Sequence, residues 1–254
     1  MMIASWNVNS VRARLDRVIG WVHARRPDVL CLQETKTNDE EFPADAFRDL
    51  GYRCTLYGQR TYNGVALLSK LPVTEVVRGF GDDDPACRFI AGRVGGVLVA
   101  SVYVPNGQAV GSDKFAYKLA WLGRWRAWLD AHANRGDLMA FCGDYNIAPD
   151  DRDVHDPEAW KDQVLCHPAE RDGLARIVDF GLEDVFRRLH PEPGLYSWWD
   201  YRQLAFPKNR GLRIDYVLAS ARLAASCTSA FIDREARKGK LPSDHAPVVT
   251  EFAL

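Results

Sequence analysis

The stretch LMAFCGDYNIAP (residues 138–149) begins with a short apolar run that stops at Gly143. Asp144 and Asn146 follow this run in a polar loop. A short apolar run that ends in glycine is typical of a buried strand, and ligands of open α/β sheets gather outside the carboxyl ends of strands. Because side chains alternate along an extended backbone, Asp144 and Asn146 point to one side and Tyr145 to the other. The stretch therefore predicts a carboxylate and an amide aimed at one site, although an Asx turn that closes the strand uses the same residue types.

The start of the chain repeats this arrangement. Residues 2–8 alternate apolar and small residues and predict a strand, and apolar residues at helical spacing predict a helix over residues 15–22. Pro27 ends that helix, and residues 28–32 predict a second buried strand. Glu34 follows the second strand as Asp144 follows its own, so it is either a second site carboxylate or a helix cap.

The middle of the chain predicts a further strand and a long helix. Residues 97–104 predict a central strand. Tyr103, near the end of this strand, points either into the same site as Asp144 or into the core. Residues 112–132 then predict a helix with an aromatic and aliphatic face, with Lys114 and Lys118 close to that face. The aromatic residues of this helix are expected to pack in the core.

A long polar span follows the organising strand. Residues 150–171 are rich in Asp, His and Pro and precede a predicted helix at residues 174–180. Loops of more than about 12 residues inside compact domains tend to be functional, so we expect a specificity element here. Residues 196–201 then gather four aromatic residues, and four cations follow them: Arg202, Lys208, Arg210 and Arg213. Aromatic residues beside cations suit a phosphate-rich, base-bearing polymer, or else the edge of a core beside a solvated loop.

A charged residue interrupts the apolar strand predicted at residues 214–218. Asp215 needs a partner there, because burying an unpaired carboxylate is costly. His245 stands just before the last predicted strand, residues 246–252, and is the expected partner. An Asp–His pair is a common device for handling protons.

Composition narrows the class of protein. The 254 residues contain 33 Lys and Arg against 34 Asp and Glu, so the net charge of −1 excludes a generally cationic nucleic-acid binder but leaves room for a local basic patch. Six cysteines without a C-x-x-C pair fit reduced thiols in a cytoplasmic protein. No signal peptide or membrane span is expected, and with no linker-like segment one domain, residues 1–254, is the simplest organisation.

Seven motifs, taken together and in this order, resemble the exonuclease III family of the endonuclease/exonuclease/phosphatase superfamily. They are WNVNS (6–10), LQETK (32–36), YNGVALLSK (62–70), YVPNG (103–107), GDYNIAP (143–149), RGLRIDYVL (210–218) and SDHAPV (243–248). The resemblance implies an α/β fold of four layers, in which two mixed β-sheets pack face to face with helices outside.

The activity implied by this resemblance is that of a Mg²⁺-dependent phosphodiesterase, with Mn²⁺ as an alternative metal. Its expected substrate is double-stranded DNA with abasic sites, nicks or 3′ ends, cut 5′ to the abasic site or cleared of 3′-blocking groups and nucleotides. A monomer is expected. Phosphodiester hydrolysis needs an activated water and shielding of phosphate charge, which suits hard oxygen ligands and cationic donors.

The resemblance also assigns residues to the metal and to the attacking water. Glu34 matches the principal metal ligand, with Asn7 and Asp244 close to the metal shell. Asp144 matches the residue that orients or deprotonates the water, and Asn146 helps to hold the water or the phosphate.

The resemblance also implies which residues act on the phosphate and on the leaving group. His245, oriented by Asp215, is expected to donate a hydrogen bond or charge to the phosphate oxygens. Tyr103 is expected to assist at the phosphate or at the leaving group. Whether one metal or two operate, and which residue is the base, stays open.

The expected DNA contacts lie elsewhere along the chain. Trp198, Leu212 and Ile214 match the apolar pocket for a flipped abasic sugar, which leaves the stack at little cost because it has no base. Arg88 and Lys114 are candidate contacts to backbone phosphates. Cys87 precedes Arg88 where many relatives carry a second basic residue.

Two further readings stay open. The balance of activities is expected to depend on residues 160–171, in which His167 and Lys161 could grip a terminal phosphate and favour 3′-end processing over abasic cleavage. The same histidine could instead do no more than shape a turn before Pro168. A non-catalytic nucleic-acid-binding relative is disfavoured because the acidic and histidine residues are all present, and a phosphatase of small molecules is disfavoured by residues 198–213.

Overall fold

Short apolar strands form two six-stranded sheets in the computed structural model, which describes residues 1–254. The strands are β1 (Met2–Asn7), β2 (Val29–Gln33), β3 (Arg53–Tyr57), β4 (Val65–Ser69), β5 (Thr74–Arg78), β6 (Phe89–Val94), β7 (Val97–Tyr103), β8 (Met139–Asp144), β9 (Leu182–Asp184), β10 (Asp215–Ser220), β11 (Cys227–Ile232) and β12 (Val248–Phe252). The first sheet has the order β11-β12-β1-β2-β4-β3, and the second has the order β5-β6-β7-β8-β10-β9. Both sheets are mixed, because β1–β2 and β7–β8 are parallel while the other neighbours are antiparallel.

Helices connect and cover the strands. They are α1 (Leu15–Arg25), α2 (Ala44–Arg48), α3 (Asp113–His132), α4 (Pro157–Trp160), α5 (Pro168–Val178), α6 (Val185–Leu189) and α7 (Ala221–Ala225). Two 3₁₀ segments, Asp151–Asp153 and Arg234–Arg237, lie in the connections. None of these helices combines the length and apolar character needed to cross a lipid bilayer.

The alternation of side chains along each strand creates the layers. Cys31 of β2 and Cys142 of β8 point into the cluster between the two sheets, whereas Leu30 points outward to α1. On the far face of the second sheet, Trp125 of α3 and Ile177 of α5 pack against the strands. The predicted four-layer sandwich, with two mixed sheets face to face and helices outside, is confirmed.

Local signals explain where several elements begin and end. Arg26 leaves α1 in a left-handed conformation (φ 50°) just before Pro27, as the proline predicted. Ser112 caps α3 by accepting a hydrogen bond from the backbone nitrogen of Phe115. These two boundaries fall where the sequence placed them.

The polar span 150–171 is more ordered than the sequence indicated. It contains a 3₁₀ turn and α4, and α5 begins at Pro168 instead of residue 174. The earlier start has a physical cause, because His167 and Glu170 form a capping box around Pro168. The prediction of a loop over residues 150–171 is therefore wrong for its last four residues, 168–171, which belong to α5.

The close approach of β7 and β8 brings the ends of three strands together. Gly143 makes this approach possible, since a Cβ atom there would collide with the carbonyl oxygen of Val102. In the resulting register Tyr103 of β7 and Asp215 of β10 both lie opposite Asp144. One edge of the second sheet thus collects a phenol and two carboxylates.

Candidate active site

The two sheets meet at one edge, where five strands begin or end in polar residues. Asn7 ends β1 and Glu34 follows β2, so the parallel pair of the first sheet delivers both to this edge. Asp144 ends β8 directly opposite Asp215, and His245 stands three residues before β12. Side chains from distant parts of the sequence therefore share one cleft.

Asp144 lies at the centre of this cleft. Its carboxylate accepts hydrogen bonds from the amide nitrogen of Asn7 (2.9 Å) and from the backbone nitrogen of Asn146 (2.9 Å). The Nε2 atom of His245 lies 3.6 Å from the same carboxylate. Burial and then the nearby charge of Asp215, opposed by His245, raise the pKa of Asp144 to about 7.

The sequence of residues 138–149 is compatible with an Asx turn or with a functional site, and the structure contains both. Asn146 has a left-handed backbone (φ 50°), and its side-chain nitrogen donates to Val104 (3.0 Å) and Asp144 (3.2 Å). Asn106 donates in turn to the side-chain oxygen of Asn146 (3.0 Å). Tyr145 points the other way, into the core against Tyr216. The turn thus serves to aim Asn146 at Asp144.

The expected pair of Asp215 and His245 is present. The Nδ1 atom of His245 lies 2.9 Å from one oxygen of Asp215, and the hydroxyl of Ser197 donates to that oxygen as well (2.6 Å). Although burial opposes a charged ring, Asp215 and Asp144 raise the pKa of His245 to about 10. The ring is therefore an imidazolium at neutral pH, with Nε2 directed toward Asp144.

Glu34 forms the other wall of the cleft. Its carboxylate accepts from the amide nitrogen of Asn7 (2.8 Å) and pairs with Lys36 (2.8 Å). Burial opposes ionisation, but Lys36 and Asn7 outweigh it and lower the pKa of Glu34. Asn7 turns its amide nitrogen, and not its oxygen, toward both Glu34 and Asp144, so it holds the two carboxylates in place.

Asp244 is tied to Glu34 through a chain of hydrogen bonds. Lys36 donates to the side-chain oxygen of Asn9 (2.7 Å), and Asn9 donates to Asp244 (3.0 Å). The indole nitrogen of Trp198 donates to the second oxygen of Asp244 (3.0 Å). Asp244 is therefore positioned at the rim of the cleft, beside the aromatic segment.

Tyr103 faces the two acidic groups. Burial and the nearby charge of Glu34 raise the pKa of Tyr103 well above its ordinary value, so the phenol keeps its proton. The guanidinium of Arg88 lies 4.6 Å from the centre of the Tyr103 ring. Arg88 thus borders the site, and its Nε atom is buried without a hydrogen-bond partner.

The three residues expected to line a sugar pocket are not equally accessible. Leu212 and Ile214 are fully buried in a cluster beneath Trp198, because the backbones of residues 198 and 212 pair as a short bridge. Only Trp198 reaches an open depression of about 380 Å³, together with His155 and Trp160. Of the three residues expected to line a sugar pocket, only Trp198 therefore borders this depression, and Leu212 and Ile214 pack beneath Trp198.

Lys114 belongs to α3, and His167 is the N-cap residue of α5. Lys114 is exposed on the first turn of α3. The Nδ1 atom of His167 accepts from the backbone nitrogen of Ala169 (3.1 Å), and its ring packs edge-on against Phe115. Since Nδ1 acts as an acceptor, Nε2 of the neutral ring carries the proton.

One group of three residues and one single residue, Glu34, are candidates for a metal ion. Ligand atoms of Asp144, Asp215 and His245 lie within 4.8 Å of one another. However, His245 and Asp215 already bond to each other, which makes this trio a device for handling protons and charge. Glu34, with a partly exposed carboxylate whose pKa is lowered, offers the hard oxygen that a divalent cation of the Mg²⁺ type prefers. The Glu34 carboxylate is therefore the group in this cleft that fits such a cation.

Several site residues were not singled out from the sequence. Asn9, Lys36 and Asn106 each stand inside a quoted motif, two or three residues from a residue that was chosen. Ser197 lies in the aromatic segment and was not distinguished from it. Asn9, Lys36 and Asn106 share one signal, because each is a polar side chain two or three positions beyond a strand end.

Comparison with known proteins supports these observations. The Endonuclease/Exonuclease/phosphatase family pattern matches residues 4–245. Exodeoxyribonuclease III of Haemophilus influenzae is 36% identical over 266 aligned positions, which cover 99% of this chain and 100% of the relative.

Similar solved structures include two that cover the whole of this chain and are themselves wholly covered. One is the 3′ phosphatase NExo from Neisseria bound to a product DNA hairpin, with a TM-score of 0.98 and 41% identity. The other is an AP endonuclease from Archaeoglobus fulgidus, with a TM-score of 0.97 and 36% identity. The resemblance to exonuclease III seen in the motifs is confirmed, and the chain belongs to the endonuclease/exonuclease/phosphatase family.

Proposed function

We propose that this chain is a metal-dependent DNA-repair nuclease that hydrolyses phosphodiesters 5′ to abasic sites and removes blocking groups or nucleotides from 3′ ends. Its relatives include an exodeoxyribonuclease III, an AP endonuclease and a 3′ phosphatase bound to DNA. The chain acts as a monomer on double-stranded DNA with abasic sites, nicks or 3′ ends.

One observation carries the proposal. A buried Asp144 carboxylate with a pKa near 7 lies between the Asn7 amide, the Asn146 amide and the charged ring of His245. A group that accepts a proton near neutral pH thus stands beside donors that can bind a phosphate oxygen. That combination suits the hydrolysis of a phosphodiester by water.

Glu34 would hold the cation, Mg²⁺ or Mn²⁺, with Asn7 and Asp244 supporting it through the contacts described above. A bound divalent cation neutralises charge on the phosphate and polarises the phosphorus–oxygen bond. Asn7 contributes by holding Glu34 and Asp144 at a fixed separation.

Side chains of the protein carry out proton transfer and hold the water and the phosphate. Asp144 accepts the proton of the attacking water, while Asn146 holds that water or the phosphate. His245, kept charged by Asp215, donates to a phosphate oxygen. Tyr103 retains its proton and assists at the phosphate or at the departing oxygen.

Residues around the cleft provide the DNA contacts. Arg88 and Lys114 meet backbone phosphates, which fix the duplex without reading its sequence. Trp198 offers an aromatic face to an extrahelical sugar, and Leu212 and Ile214 support that face from below. An abasic nucleotide enters most readily because no base has to be unstacked.

The proposal is tested with 5′-labelled duplexes in Mg²⁺. One duplex carries a single abasic-site analogue, and a second carries a nick with a 3′-phosphate. We expect one incision 5′ to the analogue and conversion of the 3′-phosphate to a hydroxyl. Absence of cleavage on both duplexes, in Mg²⁺ and in Mn²⁺, would contradict the proposed function.

Metal dependence gives the first prediction. A chelator in excess should abolish activity, and Glu34→Gln should raise the Mg²⁺ concentration needed for half-maximal rate by about 10-fold or more, since one charged ligand is lost. A Mg²⁺ titration of initial rates measures this. Glu41→Gln is the matched control, because Glu41 is a partly exposed glutamate paired with Arg12. Full activity in excess chelator would rule out the metal.

The two shifted pKa values give the second prediction. Asp144 must be ionised to accept a proton, so kcat/KM should rise as the pH passes about 7. His245 must stay protonated, so kcat/KM should fall as the pH approaches about 10. A pH profile of cleavage at saturating Mg²⁺ measures both limbs. A rate that is constant from acid to alkaline pH would contradict these roles.

His167 gives the third prediction. We expect His167→Gly to lower 3′-phosphate removal relative to abasic cleavage, because the Nε2 proton that meets a terminal phosphate is lost. Glycine also removes the cap of α5, so His167→Asn, which can still cap a helix, is the matched variant. The measured quantity is the ratio of the two rates. An unchanged ratio in both variants would leave His167 as a cap alone.

A further inference from the structure

The contact between α3 and α5 brings two buried charges together behind the active site. Gly173 allows the contact, since a Cβ atom there would lie 2.7 Å from Leu122. One turn closer to the N-terminus of each helix, Lys118 pairs with Glu170, and both side chains are completely buried. An ion pair in such a place costs desolvation energy, so it requires an explanation beyond packing.

Lys118 uses all of its hydrogen-bonding capacity. Its ammonium donates to the carboxylate of Glu170, to the backbone oxygen of Asn146 (2.6 Å) and to the backbone oxygen of Asn106 (3.1 Å). A lysine ammonium has three donors, and each has a separate acceptor here. One side chain therefore joins α5 to the two loops that follow β7 and β8.

The shape of the first loop is adapted to this lysine. Gly107 has a left-handed backbone (φ +94°), and a Cβ atom there would lie 3.1 Å from the Lys118 stem. Phe115 and Val164 close the same space. The lysine is thus enclosed in the position from which its ammonium reaches both carbonyl oxygens.

Both of the held carbonyl groups belong to active-site asparagines. Asn146 contacts Asp144, and Asn106 contacts Asn146. Fixing the backbone oxygen of Asn146 fixes the peptide plane after a left-handed residue, which sets the direction of its side chain. A rotation here would carry the amide away from Asp144.

We propose that Lys118 is a positioning residue that holds Asn146 and Asn106 in their catalytic orientation, with Glu170 as its counter-ion. This inference rests on the proposed nuclease function. Glu170 also accepts from the backbone nitrogen of His167 (3.1 Å), so the same ion pair connects the start of α5 to the catalytic loops.

The test is the double variant Lys118→Met/Glu170→Met. Replacing a buried ion pair by apolar residues of similar size is often neutral for stability, so the variant should fold, with a melting temperature lowered only by the two carbonyl groups that lose their donor. Its kcat should fall by about 10- to 100-fold, because the carbonyl groups of both asparagines lose their donor. KM and the dissociation constant for DNA should change by less than about 3-fold, since no residue that touches DNA is altered.

Leu122→Ala is the matched control. It weakens the same helix contact but leaves both loops bound to Lys118. We expect a lower melting temperature and a kcat within about 2-fold of the wild type when measured well below that temperature. The two variants thus separate positioning from packing.

A double variant with the kcat of the wild type would overturn the positioning role. If the methionine pair does not fold, Lys118→Gln/Glu170→Gln retains a polar contact, and it is expected to lower kcat to a smaller extent because a glutamine amide has two N–H donors where the ammonium has three. If neither pair folds, the residues are required for folding alone and the inference is wrong. A wild-type protein that cleaves no duplex would instead refute the proposed function, so the two failures are distinguishable.

Discussion

Asp144→Asn is expected to reduce kcat for abasic cleavage by about 10²- to 10⁴-fold, the range for loss of a general base. The amide keeps the shape of the side chain but no longer accepts the proton of the attacking water. DNA binding should be nearly unchanged, because Asp144 is buried and meets Asn7, Asn146 and His245 rather than the surface. Single-turnover cleavage and a binding titration in Ca²⁺ measure the two quantities separately.

The same change should increase stability above neutral pH. Because the pKa of Asp144 is raised in the folded state, the stability it contributes at low pH is lost as the pH rises through about 7. Asparagine removes that loss, so the melting temperature at alkaline pH should rise while activity falls.

Asp153→Asn is the matched control for Asp144→Asn. Asp153 is also buried, but it pairs with Arg187 and Arg213 away from the cleft, so its change should lower stability and spare kcat. An Asp144→Asn enzyme with wild-type kcat would contradict the role of Asp144 as the base.

His245→Ala should lower kcat by at least about 10²-fold, since the phosphate loses a charged donor. Asp215→Asn should act through His245, because Asp215 supplies the charge that keeps the ring protonated. The double variant should therefore be scarcely slower than His245→Ala alone. Rates of the four proteins in one double-mutant cycle test this, and independent losses that multiply would contradict a paired role.

The stability of these four proteins should depend on which buried charges remain in each of them. His245 has a raised pKa, so the stability that it contributes is complete below its unfolded pKa of about 6.5 and is lost as the pH rises through about 10. His245→Ala leaves Asp144 and Asp215 without this cation and should lower the melting temperature at pH 8. Adding Asp215→Asn should restore part of that stability without restoring activity.

Local patterns predicted most of the elements but not their arrangement. The strand at β8 and the helix α3 follow from apolar spacing, and Pro27 marks the end of α1. The sheet orders depend on pairs such as Met2 with Glu251, which lie at opposite ends of the chain. No local signal encodes such a pair, so the four-layer architecture came from the family resemblance alone.

The residues of the candidate site likewise include some that the sequence predicted and some that it did not. A charge in an apolar strand predicted that Asp215 needs a partner, and strand-end positions predicted Glu34 and Asp144. Lys118 was not recognised, because its place on the core face of α3 gives no indication of the carbonyl groups that it binds. Glu170 was hidden for the same reason, since its partner lies 52 residues earlier.

The most direct test of the account is a crystal structure of the Asp144→Asn variant with Mn²⁺ and a duplex containing an abasic-site analogue. We expect an anomalous Mn²⁺ peak beside Glu34, the uncleaved phosphate next to residue 144 and Nε2 of His245, and the sugar against Trp198. A phosphate bound elsewhere, with Glu34 distant from the Mn²⁺ peak, would contradict the claim that this cleft is the catalytic centre.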